Sequence, residues 1–119
     1  MTQYLFSVMH DYVNNPPIAD PDKDAEMYAR VGAFNESIWD QIVFLGGLHA
    51  PTSAFTAQVR DGQAIVTDGP HVETNEMIGG LWVIEAASDD EARELAKRAT
   101  AACGVPVEVR AFQAIPEQQ

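Results

Sequence analysis

The side chains best suited to chemistry gather in the stretch Thr67-Asp68-Gly69-Pro70-His71-Val72-Glu73-Thr74-Asn75-Glu76-Met77-Ile78-Gly79-Gly80. Asp68, a carboxylate at the start of this loop, can act as a base or orient a histidine, and His71 lies in the same stretch. Asp68, Gly69, Pro70, Glu73 and Glu76 form an overlapping set that can hold a ligand from a loop. Each also has a plainer role open to it. Asp68 can close an Asx-type turn on the N–H groups beside Pro70. Glu73 and Glu76, three apart, can share one solvated face of a helical turn.

The elements around this stretch must position it. Ala64-Ile65-Val66-Thr67 upstream and Leu81-Trp82-Val83-Ile84 downstream are short β-branched or aromatic runs, so the acids sit on a loop between strands. Loops on rigid scaffolds often carry function. Phe55 to Arg60 alternates Phe55, Ala57 and Val59 against Thr56, Gln58 and Arg60, Asp61-Gly62 supplies a two-residue turn, and Gln63 to Thr67 returns as its hairpin partner. Gln3 to Met9 is apolar on both alternating faces except at Ser7, as in a strand covered on both sides.

His10 to Asp24 reads as a polar loop, in which Asn14-Asn15-Pro16-Pro17 and Asp20-Pro21 exclude helix and sheet pairing. From about Lys23, Met27, Val31, Phe34, Ile38, Ile42 and Leu45 recur at spacings of three and four, predicting one long helix that Gly46-Gly47 stops. Asp22 or Asp24 is its N-terminal acid. Trp39 lies off that stripe, against a neighbouring element or a second subunit. Leu81 to Ala87 predicts a central strand, and Ser88-Asp89-Asp90-Glu91 a capping box. Ala92, Leu95, Ala96 and Ala99 are the buried stripe of a second helix that Gly104 ends. Val105 to Phe112 is the last strand, and Ala114 to Gln119 a tail without strong pattern.

The 119 residues suffice for a single domain spanning 1–119 with one core. A formal charge of −11 disfavours phosphate backbones and anionic lipid, so neither a nucleic-acid nor a membrane partner is expected. Cys103 is the only cysteine, which excludes an intrachain disulfide and makes the cytoplasm the expected location. Cys103 itself reads as an inert core residue. No apolar run reaches membrane-spanning length, and the N-terminus has no signal-peptide pattern. His10, His49 and His71 lack metal-ligand spacing, and Gly79-Gly80 lacks a phosphate-binding fingerprint, so no metal or cofactor is expected; the glycine pair predicts a close backbone approach. Glu85 and Glu108 fall inside apolar strands and call for partners such as Arg60 or Arg110.

The order strand, helix, hairpin, strand, helix, strand suits an α+β layout with both helices on one sheet face. The bare face of such a sheet would be apolar, which predicts a face-to-face homodimer. From Arg60-Asp61-Gly62 through Thr67-Asp68-Gly69-Pro70, Glu73-Thr74, Glu76 and Gly79-Gly80 to Val107-Glu108-Val109-Arg110, the sequence resembles the YCII-related, or DGPF-domain, family. The match is closest in the C-terminal half and mainly one of layout in the N-terminal half. The resemblance implies ferredoxin-like βαββαβ subunits with a β-hairpin, paired as a dimeric α/β barrel. Members with proposed catalysis carry a histidine on the first helix, working with an aspartate, and the matching position here is Val31. Either His10 or His71 replaces that histidine, or the chemistry is absent. His71 stands where the family usually has phenylalanine, which implies that it fills the same aromatic slot with one polar edge satisfied, and Asn75 stands where lysine is frequent. Relatives are often encoded beside extracytoplasmic-function sigma factors, which implies a transcription-linked role.

Two functions follow. The first is a homodimeric small-molecule-binding or regulatory protein, favoured by the valine at position 31. The alternative is an enzyme of isomerase, lyase or dehalogenase type, in which Asp68 and a histidine move protons on a small cyclic or aromatic metabolite.

Overall fold

The two-sided apolar character of the first strand follows from its place. In the computed structural model, which describes residues 1–17 and 19–114, β1 (Thr2–Asp11) lies inside a four-stranded antiparallel sheet. The sheet order is β2 (Ile42–Gly47), β5 (Glu76–Ala86), β1, β6 (Val107–Ala111). Helices α1 (Pro21–Ser37) and α2 (Asp89–Cys103) pack against one another over a single face. With β3 (Phe55–Arg60) and β4 (Gln63–Asp68) set aside, the order is βαββαβ, a ferredoxin-like α+β fold.

Alternation decides which side chains meet the helices. Tyr4, Phe6 and Val8 of β1 face the same way as Trp82, Ile84 and Ala86 of β5, and these join Phe34, Ile38, Ala92, Leu95, Ala99 and Ala102 in the core. Phe6 and Ile84 have no exposed surface, and burying each such side chain contributes about 1.5–3 kcal/mol. Alanines at the inner positions of α2 let that helix lie close to the sheet. Ser88 caps α2 by accepting the Glu91 N–H, and Gly104 ends it with a left-handed φ of 78°. The Glu91 carboxylate does not complete the expected reciprocal box; it accepts from Gln41 Nε2 at 2.8 Å and so ties α2 to the segment before β2.

The single long helix expected from Lys23 to Leu45 is two elements. Helix α1 stops at Ser37, Ile38 leaves the helical region at φ −128°, and a short 3-10 turn, Trp39–Gln41, leads into β2. Ile42-Val43-Phe44-Leu45 pairs with β5, and Gly46-Gly47 belongs to that strand instead of capping a helix. The helical spacing of Ile42 and Leu45 is accidental, since a β-branched and aromatic run offered a sheet edge takes the ladder. The start differs as well. Asp20 caps α1 through the N–H groups of Asp22 and Lys23, Asp24 Oδ2 accepts the Asp20 N–H, and Pro21 occupies the first turn, where its missing N–H costs nothing. Trp39 is largely exposed.

The hairpin forms as expected, turning at Asp61 and Gly62 with φ of 51° and 78°, but β3 and β4 make a separate two-stranded sheet outside the main one. It gives the chain a radius of gyration of 16.7 Å and extents of 50 × 49 × 18 Å. A compact chain of this length has a radius near about 13.5 Å. Strand β5 begins at Glu76, not Leu81, so the loop after Asp68 is shorter than expected and Glu73 and Glu76 share no helical turn. Glu85 alternates with buried Ile84 and Ala86, so it faces away from the helices; Glu108 is exposed. Among the described residues the ion pair present is Lys97–Glu94 on the surface, and neither Arg60 nor Arg110 pairs with Glu85 or Glu108. No described helix is long and apolar enough to cross a membrane. Beyond Ala114, the expected tail falls outside the described residues.

The Tyr4 hydroxyl donates to Asp89 Oδ1 at 2.6 Å, fastening β1 to the first turn of α2. That bond, then burial, raise the phenol above its ordinary 10.0, because both favour the protonated form. A raised pKa stabilises the fold fully below pH 10.0, and the contribution is lost as pH climbs through the folded value. Tyr4→Phe is expected to lower the urea midpoint at pH 8 and to flatten the alkaline decline of stability seen in the wild type; equal slopes above pH 10.0 in both proteins would contradict it.

Candidate functional site

The core stops short of filling the space under the middle of α1. A cavity of ≈ 380 Å³ lies there, walled by Met27, Tyr28, Val31 and Asn35 of α1, by Val8, Leu45, Leu81 and Trp82 of the sheet, and by Cys103 of α2. Its emptiness has a sequence cause. Gly46 and Gly47 of β2, Gly80 of β5 and Gly32 of α1 all line it without side chains. Gly80 sits where β2 and β5 approach closely: a Cβ there would lie 3.2 Å from the Gly46 carbonyl oxygen. This is the close approach that Gly79-Gly80 predicted, and its consequence is an open floor.

Few polar groups reach the cavity. Trp82 is buried, and an indole can only donate; its Nε1–H goes to Asn35 Oδ1 at 2.8 Å, with Phe34 edge-on to the ring. The bond fixes the amide orientation and leaves the Asn35 NH2 without a partner among the described residues. His10 supplies the imidazole. It is not on a loop after the first strand, as expected, but inside β1, on the helix face two residues beyond Val8. Its ring lies beside that of Tyr12, with centroids 5.8 Å apart. The chain then turns at Asp11, whose carboxylate accepts the N–H groups of Val13 and Asn14 and the Asn14 side-chain amide. These bonds, that from Asn14 first, hold the Asp11 carboxyl below its ordinary 3.8. The turn carrying Tyr12 is therefore secured above that pH and loosens as acid protonates Asp11.

The other candidates lie elsewhere in the protomer. Asp68 ends β4 opposite Phe55, is exposed, and makes no side-chain hydrogen bond among the described residues, so the expected Asx turn does not form. The Gly69 N–H instead donates to the Ala54 carbonyl at 2.7 Å. His71, Glu73 and Glu76 are exposed, and His71 does not fill an aromatic slot. Pro70 and His49 line a second hollow of ≈ 390 Å³ with Met77 and Ile78, but Asp68, His71, Glu73 and Glu76 do not. Within one protomer the structure thus brings His10 to the cavity beneath α1 and leaves Asp68 and His71 out of it. Val31, where the resemblance places the family histidine, lines the same cavity as His10. Cys103 also lines it and is half-buried, its Sγ 3.6 Å from the Val105 carbonyl oxygen. Asn35, Gly32 and Tyr12 gave no signal in sequence, since an asparagine within a helix acquires its role only from the indole opposite.

A four-stranded antiparallel sheet with two helices on one face and an apolar cavity between them defines the class: a ferredoxin-like α+β protein with a single-histidine pocket. The chain matches the YCII-related domain over residues 5–113, and it belongs to that family. An uncharacterised protein of Rhizobium meliloti (strain 1021) is 44% identical over 46 residues, a match spanning 39% of this chain and 37% of that relative's length. Among solved structures, 5-chloro-2-hydroxyhydroquinone dehydrochlorinase from Burkholderia phenoliruptrix AC1100, in complex with 2,5-dihydroxybenzoquinone, aligns over 95% of this chain and 94% of that one. The TM-score is 0.50 and the identity 16%, a likeness of fold.

Gly32 offers a direct control of the cavity, because a Cβ at this position meets nothing within 4 Å. Gly32→Ala is expected to raise unfolding free energy by about 0.5–1 kcal/mol, the helix-propensity gain alone. Loss of stability in urea titration would show instead that this part of α1 packs more tightly than the cavity implies.

Proposed function

We propose that this protein binds a small, largely apolar ring compound in the cavity between α1 and the sheet. The observation that carries the reading is the lining: a glycine floor, indole and aliphatic walls, the Tyr28 phenol, one imidazole and one free amide, with no Asp, Glu, Lys or Arg among the described residues. At ≈ 380 Å³ the cavity lies toward the small end of ligand sites, which run about 300–1,000 Å³. It suits one substituted ring. A polyanion is disfavoured, since the chain carries −11 and no cation lines the cavity. Asn35 and His10 suit one or two oxygens on such a ring, as in a phenol, quinone or lactone. The 2,5-dihydroxybenzoquinone bound by the dehydrochlorinase is of that kind and is a sensible first probe.

A catalytic reading is favoured by one observation, that His10 lines the cavity across from Val31. In that reading His10 exchanges a proton with the ring compound. Among the described residues no carboxylate of the same protomer lines the cavity to orient it, so binding is the better-supported function. A cytoplasmic setting accords with the single cysteine.

The working unit we propose is a homodimer joined through the open face of the sheet. Leu5, Met9 and Val83 are half-buried there and Phe44 is 62% exposed, while Glu108 and Arg110 of β6 stand at the rim. An apolar centre with a charged border is the make-up of an association surface. Phe44→Asp is expected to shift the wild-type dimer to monomer in sedimentation velocity at micromolar concentration; an unchanged sedimentation coefficient would place the interface elsewhere or leave the protein monomeric.

The cavity is tested by thermal shift of the wild type and Gly32→Leu against phenols, lactones and 2,5-dihydroxybenzoquinone. A native-state ligand at 100 times its Kd adds about 2.7 kcal/mol. Wild-type midpoints are expected to rise with at least one class, and Gly32→Leu, which fills the cavity, to lose the response. Equal shifts in both proteins would move the site away from α1. Turnover of a bound compound, abolished in His10→Ala, would decide for the catalytic reading.

A further inference from the structure

We infer that Gly79 is a positioning residue for the cavity: a side-chain-free bulge on which the His10 imidazole and the Tyr12 ring lie, so that glycine here sets where the imidazole is presented. The inference rests on the cavity as the ligand site and concerns a residue that does not itself line it. The register between β1 and β5 passes from Val8 opposite Gly80 to Met9 opposite Ile78, which leaves Gly79 as the extra, unpaired residue. Bulges re-aim the side chains around them. An added Cβ at Gly79 would overlap His10 Cδ2 outright and would lie 2.9 Å from both His10 Nε2 and the Tyr12 hydroxyl.

Space, not backbone freedom, is what glycine provides. The glycines with positive φ are Gly62, Gly69 and Gly104, and Gly79 is not among them. The backbone at 79 therefore accepts any residue, while the imidazole above it accepts none larger than glycine. The bulge is itself held, since its carbonyl accepts the Leu48 N–H at 2.9 Å just past β2. Tyr12 is anchored by its N–H to the Asn75 carbonyl at 2.8 Å. The Cδ2–Nε2 edge of His10 thus rests on a fixed floor with the Tyr12 ring beside it, and any side chain at 79 displaces that edge.

The test is a double-mutant cycle of Gly79→Ala and His10→Ala, read by affinity for 2,5-dihydroxybenzoquinone and by the His10 ring proton resonances. In the His10 background, Gly79→Ala is expected to move the Hδ2 resonance, erase its Overhauser contact with the Gly79 α-protons, and weaken the quinone by about tenfold. In the His10→Ala background the same change should alter affinity by less than about twofold. Unshifted ring resonances in Gly79→Ala, or an equal loss of affinity in both backgrounds, would overturn the inference.

Failure of the wild type to bind the quinone would count against the ligand reading for that compound alone. The cycle is then read by ring resonances and urea midpoints, with Gly79→Ala expected to cost stability only when His10 is present. If Gly79→Ala does not fold, restoration of folding by adding His10→Ala supports the steric coupling, and its absence overturns it.

Discussion

A buried indole N–H must find an acceptor, and the placement of α1 depends on how Trp82 finds one. A buried donor left unpaired costs about 1–3 kcal/mol. Asn35 Oδ1 supplies the partner, Phe34 packs edge-on against the same ring, and Arg98 stacks over Phe34 while bonding Ser37. These contacts pin the C-terminal half of α1 to the sheet and to α2. The middle of the helix, tied at Arg30 to the Ala102 carbonyl, bridges over the glycines of β2 and β5. A helix anchored at one end above a floor without side chains encloses space. The same hydrogen bond that secures the fold thereby creates the cavity and leaves an amide donor at its wall.

The legible parts of the chain were those whose signals are local. The hairpin at Asp61-Gly62, the Ser88 cap, the Gly104 stop and the apolar alternation of the strands each reflect interactions within a few residues. The boundary between α1 and β2 was not legible, because Ile38, Ile42 and Leu45 continue the helical phase of Val31 and Phe34 by coincidence. Only the open edge of β5 distinguishes the two readings, and that edge is some forty residues away in the chain.

The site shows the same division. His10 was identifiable as a candidate by type, yet its position in a strand and its bulge partner were not, since β1 continues to Asp11 only because Glu76, Met77 and Ile78 pair with it. Asp68 and His71 attracted attention through a motif, and the structure sets them at the root of the hairpin and on the loop after it. Family resemblance conveyed the fold and points to Val31 on the helix, whereas the imidazole that lines the cavity is that of His10 on the strand.

The central position of β1 has a consequence for biosynthesis. Its two hydrogen-bonded neighbours are residues 76–86 and 107–111, so the first strand made is among the last to be paired. At ribosomal rates of about 5–20 residues per second, an apolar segment stays without its ladder for several seconds after emerging. Only the β3–β4 hairpin closes within its own stretch of chain. During that interval Leu5, Phe6 and Val8 lack the two strands that flank them in the finished sheet.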